Sequence, residues 1–390
     1  MKIVFFSNFL NHHQLPLCLE LAKRCNNEFT FVATEKIPQE RLDMQYEDMN
    51  EEYSFVLRSY ESEEANNKAL CLAEEADIAI IGSATEYFIE KRLKDKNKLT
   101  FRFCERSFKK GIWRRFIPKT RKKIHNDYIQ YKDSRLYILG SSAYTAKDLA
   151  ICGFPPDKCY RWGYFPQTVK ISDCDKTLES KKKNSIIWVG RFIPFKHPET
   201  ALKIAKRLKR EGIQFSLKMV GDGVLKKQAE NFIKRNGLTE TVEFTGAISP
   251  EEVRKCMLES EIFLFTSDFY EGWGAVANEA MNSMCVPVVS HSCGSSPFLV
   301  NPGKNGYIFR LGKTDEALKY IKRLFDDRNT RVKLSREAYN TIKNQWNAET
   351  AAERLLDLSE NLINGKDDDF FMSGPCSKAP LYSNNWYKGE

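Results

Sequence analysis

The stretch Glu271-Gly-Trp-Gly-Ala-Val-Ala-Asn-Glu279 holds two carboxylates separated by seven residues, with a Gly-x-Gly turn beside the first. The residues before it, Ile262-Phe-Leu-Phe-Thr-Ser267, read as a buried strand. Ala275 to Met284 reads as a helix, and Val286-Pro-Val-Val-Ser290 as the next strand. The two glycines then fall where a parallel strand turns into a helix. Backbone N–H groups point outward there, and the helix end is partially positive, so such a turn receives a phosphate or diphosphate. Carboxylates are poor phosphate ligands, so the two glutamates suit flanking hydroxyls, as on a sugar and a ribose. The pattern points to a sugar-nucleotide site.

The surrounding motifs extend the reading. Upstream stands Ile186-Ile-Trp-Val-Gly190-Arg191-Phe-Ile-Pro-Phe-Lys196, followed by Met219-Val-Gly221-Asp222-Gly223, Gly237-Leu238 and Val242-Glu-Phe-Thr-Gly246. Downstream are Gly294-Ser-Ser-Pro297 and Asn305-Gly306. In order and spacing, residues 184 to 345 resemble retaining glycosyltransferases of the GT-B fold, family 4 (group 1). The resemblance implies an α/β protein of two doubly wound Rossmann-like domains facing across a cleft. It implies hexosyl transfer from a UDP- or GDP-sugar to a hydroxyl, with retained anomeric configuration and no metal or cofactor. Arg191, Lys196 and Glu271 are the catalytic candidates it marks. Gly190, Gly221, Gly272, Trp273, Gly274, Glu279 and Ser295 are the donor-binding ones, with Glu279 on the ribose and Glu271 on the donor sugar.

The chemistry of these residue types fits. Arg makes two-point contacts with phosphate oxygens and Lys adds a compact charge. Negative charge grows on the diphosphate as its bond to the sugar breaks, so fixed cations there favour the transition state over the ground state. By resemblance the leaving diphosphate helps accept the hydroxyl proton; no side chain stands out as a general base. Two departures are visible. Where many relatives have Gly-Gly-x-Pro-Glu, this chain has Gly294-Ser-Ser-Pro-Phe298. Where many have a glycine-rich loop after the first strand, it has Ser7-Asn-Phe-Leu-Asn-His12-His13.

With 390 residues, 42% hydrophobic and 29% charged, the chain reads as soluble, globular and long enough for two cores. No apolar run approaches the ~18 residues of a membrane span, and Lys2–Ser7 is too short for a leader and reads as a first strand. Eleven scattered cysteines without a C-x-x-C pair suggest reduced thiols in the cytoplasm. The five histidines lack metal-ligand spacing. Asp173-Cys-Asp175 and Asp367-Asp-Asp369 resemble metal-binding strings but lack a preceding buried strand, so no metal site is expected.

Alternating strands (Ile3–Phe6, Phe29–Ala33, Phe55–Leu57, Ile78–Ile81, Leu99–Phe103, Leu136–Leu139) and helical periods such as Gln14–Lys23 predict a doubly wound N-terminal domain over 1–166. Residues 167–184 read as a polar linker and 185–346 as the second domain. Residues 347–365 read as a helix crossing back to the first, and 366–390 as a mobile tail. His12 and His13, after the first strand, and Glu105 and Arg106, after the fifth, are candidates for acceptor or phosphate contacts.

The net charge of +9 matches that of Phe101–His125 alone, where ten Lys or Arg face one acid, Glu105. Lys109, Lys110, Trp113, Arg114, Arg115 and Phe116 interleave charge with aromatics on an expected amphipathic helix. That composition fits an anionic membrane surface and a lipid-linked saccharide acceptor, as in cell-surface polysaccharide assembly on the cytoplasmic face. No nucleic-acid module accompanies it. An epimerase or phosphorylase on the same fold, or a decayed binding scaffold, remain alternatives; a dinucleotide oxidoreductase is disfavoured by the missing G-x-G-x-x-G.

Overall fold

The computed structural model describes residues 1–26, 28–39, 48–366 and 370–389. The chain forms two units: Met1–Gln167 with Asn347–Tyr382, and Thr168–Trp346 with Ser383–Glu390.

The first unit is a seven-stranded, wholly parallel sheet: β1 (Ile3–Ser7), β2 (Phe29–Ala33), β3 (Val56–Arg58), β4 (Ile78–Ile81), β5 (Leu99–Cys104), β6 (Leu136–Gly140) and β7 (Cys159–Arg161). Their order is β3-β2-β1-β4-β5-β6-β7, reversing between β1 and β4. β1 and β4 are buried at every position, as strands covered by helices on both faces must be. The helix Ala348–Ile363 belongs to this unit and packs on Leu15–Arg24. Asn347 caps it by accepting the Thr350 N–H at 2.8 Å.

Two expectations need correcting. Within 366–390, residues 374–377 are buried and tied to the first sheet, although Phe370, Met372 and Leu381 are exposed. Residues 376–379 run antiparallel along the β7 edge: Arg161 N–H donates to Ser377 O (2.7 Å), Cys376 N–H to Arg161 O (2.9 Å) and Ala379 N–H to Cys159 O (2.9 Å). An open strand edge is thereby covered. Further on, the Trp386 indole N–H donates to His291 O at 3.3 Å in the second unit. Asp367-Asp-Asp369 lies outside the described residues.

Residues 167–184 are also more than a linker. Cys174–Ser180 is a helix whose N-cap, Asp173, accepts the Lys176 N–H at 2.9 Å, while Asp175 pairs with Arg336. Both aspartates of the metal-like string thus serve local structure. Lys181 is buried, the three N–H groups of its ammonium shared among the carbonyls of Met257 (3.2 Å), Leu258 (3.0 Å), Ser260 (2.7 Å) and Ser283 (3.0 Å). It ties together the C-terminal ends of the helices Pro250–Leu258 and Val276–Asn282.

The second unit is a six-stranded parallel sheet: β8 (Ser185–Val189), β9 (Ser216–Val220), β10 (Val242–Gly246), β11 (Ile262–Phe265), β12 (Val286–Ser290) and β13 (Tyr307–Phe309). The order β10-β9-β8-β11-β12-β13 reverses between β8 and β11. The helix Pro198–Arg210 covers one face with Ala201, Leu202, Ile204, Ala205 and Leu208, all buried. Among the described residues no helix is long and apolar enough to cross a membrane.

Lys181→Met would leave four carbonyl acceptors without their shared donor. The expected loss is about 3 kcal/mol, read as a fall in Tm of about 6–12 °C by differential scanning calorimetry.

Candidate active site

In an open α/β sheet, ligands bind beyond the carboxyl ends of the strands where the order reverses. In the second unit that point lies between β8 and β11, and the loops leaving these two strands carry the catalytic candidates. Lys196 and Glu271 meet there as an ion pair, Nζ to Oε2, with both side chains only 13% and 12% exposed. Ser267 Oγ donates to the same Glu271 oxygen at 3.0 Å. The Lys196 ammonium also lies 5.5 Å from the centre of the Phe195 ring and 5.7 Å from that of Phe265. Arg191, leaving β8, is exposed, and its guanidinium has no hydrogen bond or ion pair with any described residue.

Glycine is required where backbones converge. Gly221 has φ 128°, and a Cβ there would lie 2.1 Å from Gly190 O. Gly190 N–H donates to Val220 O and Gly221 N–H to Gly246 O, so three strand ends are laced at this spot. Gly274 has φ 83°, and a Cβ would sit 2.4 Å from the Phe265 ring. The N–H groups of Gly272 through Val276 donate to no described residue. Ser295 is buried, and its hydroxyl also has no partner among the described residues. Free donors and a free guanidinium in the loops of one sheet end suit an anion.

Glu279 lies on Val276–Asn282 and its carboxylate accepts no hydrogen bond from any described residue. Burial pushes its pKa up to about 7, opposed only by the charge of Arg254. Arg254 in turn donates to Asn282 Oδ1 at 3.0 Å. A hydroxyl donor arriving at Glu279 would favour its ionised form.

The side chain of Trp273 is turned into the fold. It is buried, with the indole N–H satisfied by Asn278 Oδ1 at 2.9 Å and the ring 5.4 Å from that of Trp346. Phe298 joins the same block, stacked on Trp346 at 5.8 Å. At the position where many relatives carry a carboxylate, this chain builds an aromatic floor.

In the first unit, His12 and His13 lie in the turn before the helix Leu15–Arg24, their rings 3.8 Å apart. Tyr164, which the sequence reading passed over, stands between two of the candidates: its ring is 6.0 Å from His13, and its hydroxyl donates to Glu105 Oε1 at 3.3 Å. Glu105 also pairs with Lys109. Arg106, expected at a ligand, is instead buried, paired with Asp148 at 3.1 Å and lying over the Tyr144 ring at 4.7 Å, so its charge is answered within the fold. Asp148 additionally accepts the Phe108 N–H at 2.8 Å.

The basic segment is not one amphipathic helix. It comprises a short 3₁₀ turn, Ile112–Phe116, and a separate helix, Pro118–Asp127, with Phe108 buried. Trp113 and Phe116 are nevertheless 58% and 68% exposed. Arg115 lies 4.6 Å from the Phe116 ring centre, and Lys110, Lys119, Arg121, Lys122 and Lys123 are exposed around them. Among the described residues, no group of three or more His, Cys, Asp or Glu side chains is arranged to hold a metal ion.

Two parallel α/β units of this kind are those of the GT-B fold. Residues 170–341, within the second unit, match the family model described as glycosyl transferases group 1. It is 27% identical over 173 residues to the alpha-D-kanosaminyltransferase of Streptomyces kanamyceticus, covering 44% of each chain. It is 25% identical over 258 residues to the amylovoran biosynthesis glycosyltransferase AmsK of Erwinia amylovora, covering 64% of this chain and 62% of the relative. The chain spans less than half the length of the first curated relatives it matches. The crystal structure of Anabaena HepE in complex with UDP has the same fold, with a TM-score of 0.68 at 15% identity over 93% of this chain and 100% of that one.

The Glu279 carboxyl binds its proton more tightly folded than unfolded, so protonation favours the ligand-free fold. Its contribution improves as pH falls through about 7 towards the unfolded value, and at pH 8 the buried charge opposes folding. Glu279→Gln is therefore expected to raise Tm by a few degrees at pH 8, on the order of 2 kcal/mol, and to do little at pH 5. Thermal unfolding at the two pH values reads this directly.

Proposed function

We propose that this protein is a retaining, metal-independent glycosyltransferase. It moves a hexose from a UDP- or GDP-sugar to a hydroxyl of a lipid-linked saccharide, in cell-surface polysaccharide assembly on the cytoplasmic face of the membrane. The observation that carries the reading is the Lys196–Glu271 pair at the sheet reversal, together with Arg191, which has no partner among the described residues. Arg191 and Lys196 hold the diphosphate. Ser295 Oγ and the N–H groups of the Gly272–Gly274 turn add neutral donors. Glu271 keeps Oε1 for a sugar hydroxyl while Oε2 is tied to Lys196 and Ser267, and Glu279 takes the ribose.

In the reaction the bond from the anomeric carbon to the diphosphate oxygen breaks and its electron pair leaves with the diphosphate. The acceptor oxygen bonds to the same carbon from the same face, and its proton passes to the departing diphosphate. Arg191 and Lys196 meet the growing negative charge in place, without reorganising. His12, His13, Tyr164 and Glu105 in the first unit supply polar groups for the acceptor. UDP bound to HepE and amylovoran biosynthesis in the name of AmsK support this reading of donor and pathway.

The basic, aromatic surface around Trp113 and Phe116 gives the lipid-linked acceptor its rationale. Aromatic side chains insert at a headgroup boundary, and each cation near an anionic surface adds about 1 kcal/mol.

With EDTA present, UDP or GDP is expected to raise Tm, and Glu279→Ala to remove the shift. A hundredfold excess over Kd corresponds to about 2.7 kcal/mol. Arg191→Ala should lower acceptor-dependent turnover by orders of magnitude while keeping the fold; near-normal turnover would overturn the assignment. Donor conversion without any acceptor would favour an epimerase. In co-sedimentation with vesicles containing anionic phospholipid, the Trp113→Ser/Phe116→Ser double variant should stay in the supernatant while wild type pellets at low salt.

A further inference from the structure

Next to Lys196, position 197 adopts φ 51° and ψ 52°, the left-handed conformation that glycine enters freely and other residues avoid. This chain places a histidine there. Its ring is held from both sides, Nδ1 to Glu199 Oε1 at 2.8 Å and Nε2 to Asp268 Oδ2 at 3.1 Å. Carboxylates only accept, so both ring nitrogens must donate, and only the imidazolium does that. Consistent with this, the two carboxylates raise the His197 pKa to about 9, against opposing burial.

The clasp joins two loops. Glu199 is on the helix that follows His197, whereas Asp268 is on the loop leaving β11. Asp268 N–H donates to Phe195 O at 2.9 Å, and Asp268 O accepts the Glu271 N–H at 3.0 Å. Thr266 Oγ1 donates to Lys196 O at 2.6 Å, and itself receives the Trp188 indole N–H at 2.9 Å. The backbone on either side of the Lys196–Glu271 pair is therefore bound across the sheet reversal, and His197 is the charged member of that lacing. The other charges near it are Lys203, which acts on Glu199 from the same helix, and the Lys196–Glu271 pair itself.

We propose that His197 is a positioning residue: as an imidazolium it staples the Lys196 loop to the Glu271 loop and holds Lys196 ready for the donor diphosphate. The inference rests on the donor-site reading above. Because the proton is bound more tightly in the folded state, the staple is present at neutral pH and lost as pH rises through the folded value. A residue that only tolerated the turn would be replaced without loss by glycine.

The test uses the full chain and needs no acceptor. Affinity for UDP and for GDP is measured by calorimetry from pH 6.5 to 10 for wild type, His197→Gly, His197→Asn and Lys196→Ala, with Tm recorded for each. Glycine and asparagine both accept the left-handed turn, so Tm should stay within a few degrees of wild type. Affinity at pH 7 should fall about tenfold in both His197 variants. Comparing curves at each pH cancels the nucleotide's own titration, and the wild-type advantage should vanish above about pH 9, where the curves merge. Wild-type affinity in His197→Gly at pH 7, with Lys196→Ala impaired, would overturn the staple alone. A wild type that binds neither nucleotide, or an unimpaired Lys196→Ala, would overturn the donor site and this inference with it.

Discussion

Between β8 and β11 the second sheet changes the direction in which it grows, and the loops leaving these two strands meet at that point. Lys196 and Glu271, 75 positions apart in the chain, become neighbours because they sit on those two loops. Their pairing in a mostly dry spot is sustainable only because each charge is answered: the ammonium by carboxylate and aromatic faces, the carboxylate by ammonium and the Ser267 hydroxyl. The glycines at 190 and 221 follow from the same geometry, since a single methyl at 221 would collide with the Gly190 carbonyl.

Most of this was legible from residue order. Ile78–Ile81 and Val286–Ser290 were located to the residue, and Ile3–Ser7, Leu136–Gly140 and Ile262–Phe265 to within one or two, because burial on both faces leaves a nearly unbroken apolar run. The three-residue strands β7 and β13 were not located, whereas β3, equally short, was placed one residue early. Missing β7 also hid Tyr164, which lies just beyond it. Arg106 and Trp273 looked like ligand contacts because charge and aromaticity advertise function, yet their partners, Asp148 and Asn278, are revealed only by packing. Asp148 lies 42 positions from Arg106, beyond the reach of local pattern. The described tail residues misled for the opposite reason: a polar, Pro- and Ser-rich composition gives no hint that its backbone will complete a sheet edge.

The electrostatics separate into two regimes. The Lys196–Glu271 pair joins opposite charges that neutralise each other, while the side chains of Glu279 and Arg191 have no hydrogen-bonded partner among the described residues. Fixed pairs define shape; unmatched groups define what the shape will accept. The aromatic block of Trp273, Phe298 and Trp346 gives the turn that carries the glycines a rigid, apolar support.

The first unit is discontinuous in sequence: residues 347–382 complete a domain begun at residue 1, with the core of the second unit encoded between them. A ribosome adding about 5–20 residues per second must therefore emit that intervening domain, roughly 10–40 s of synthesis, before the strand that seals β7 exists. During that interval the nascent sheet carries an unsealed edge. Vectorial synthesis thus imposes an order of assembly: the inserted domain can mature while its host is still waiting for its last pieces.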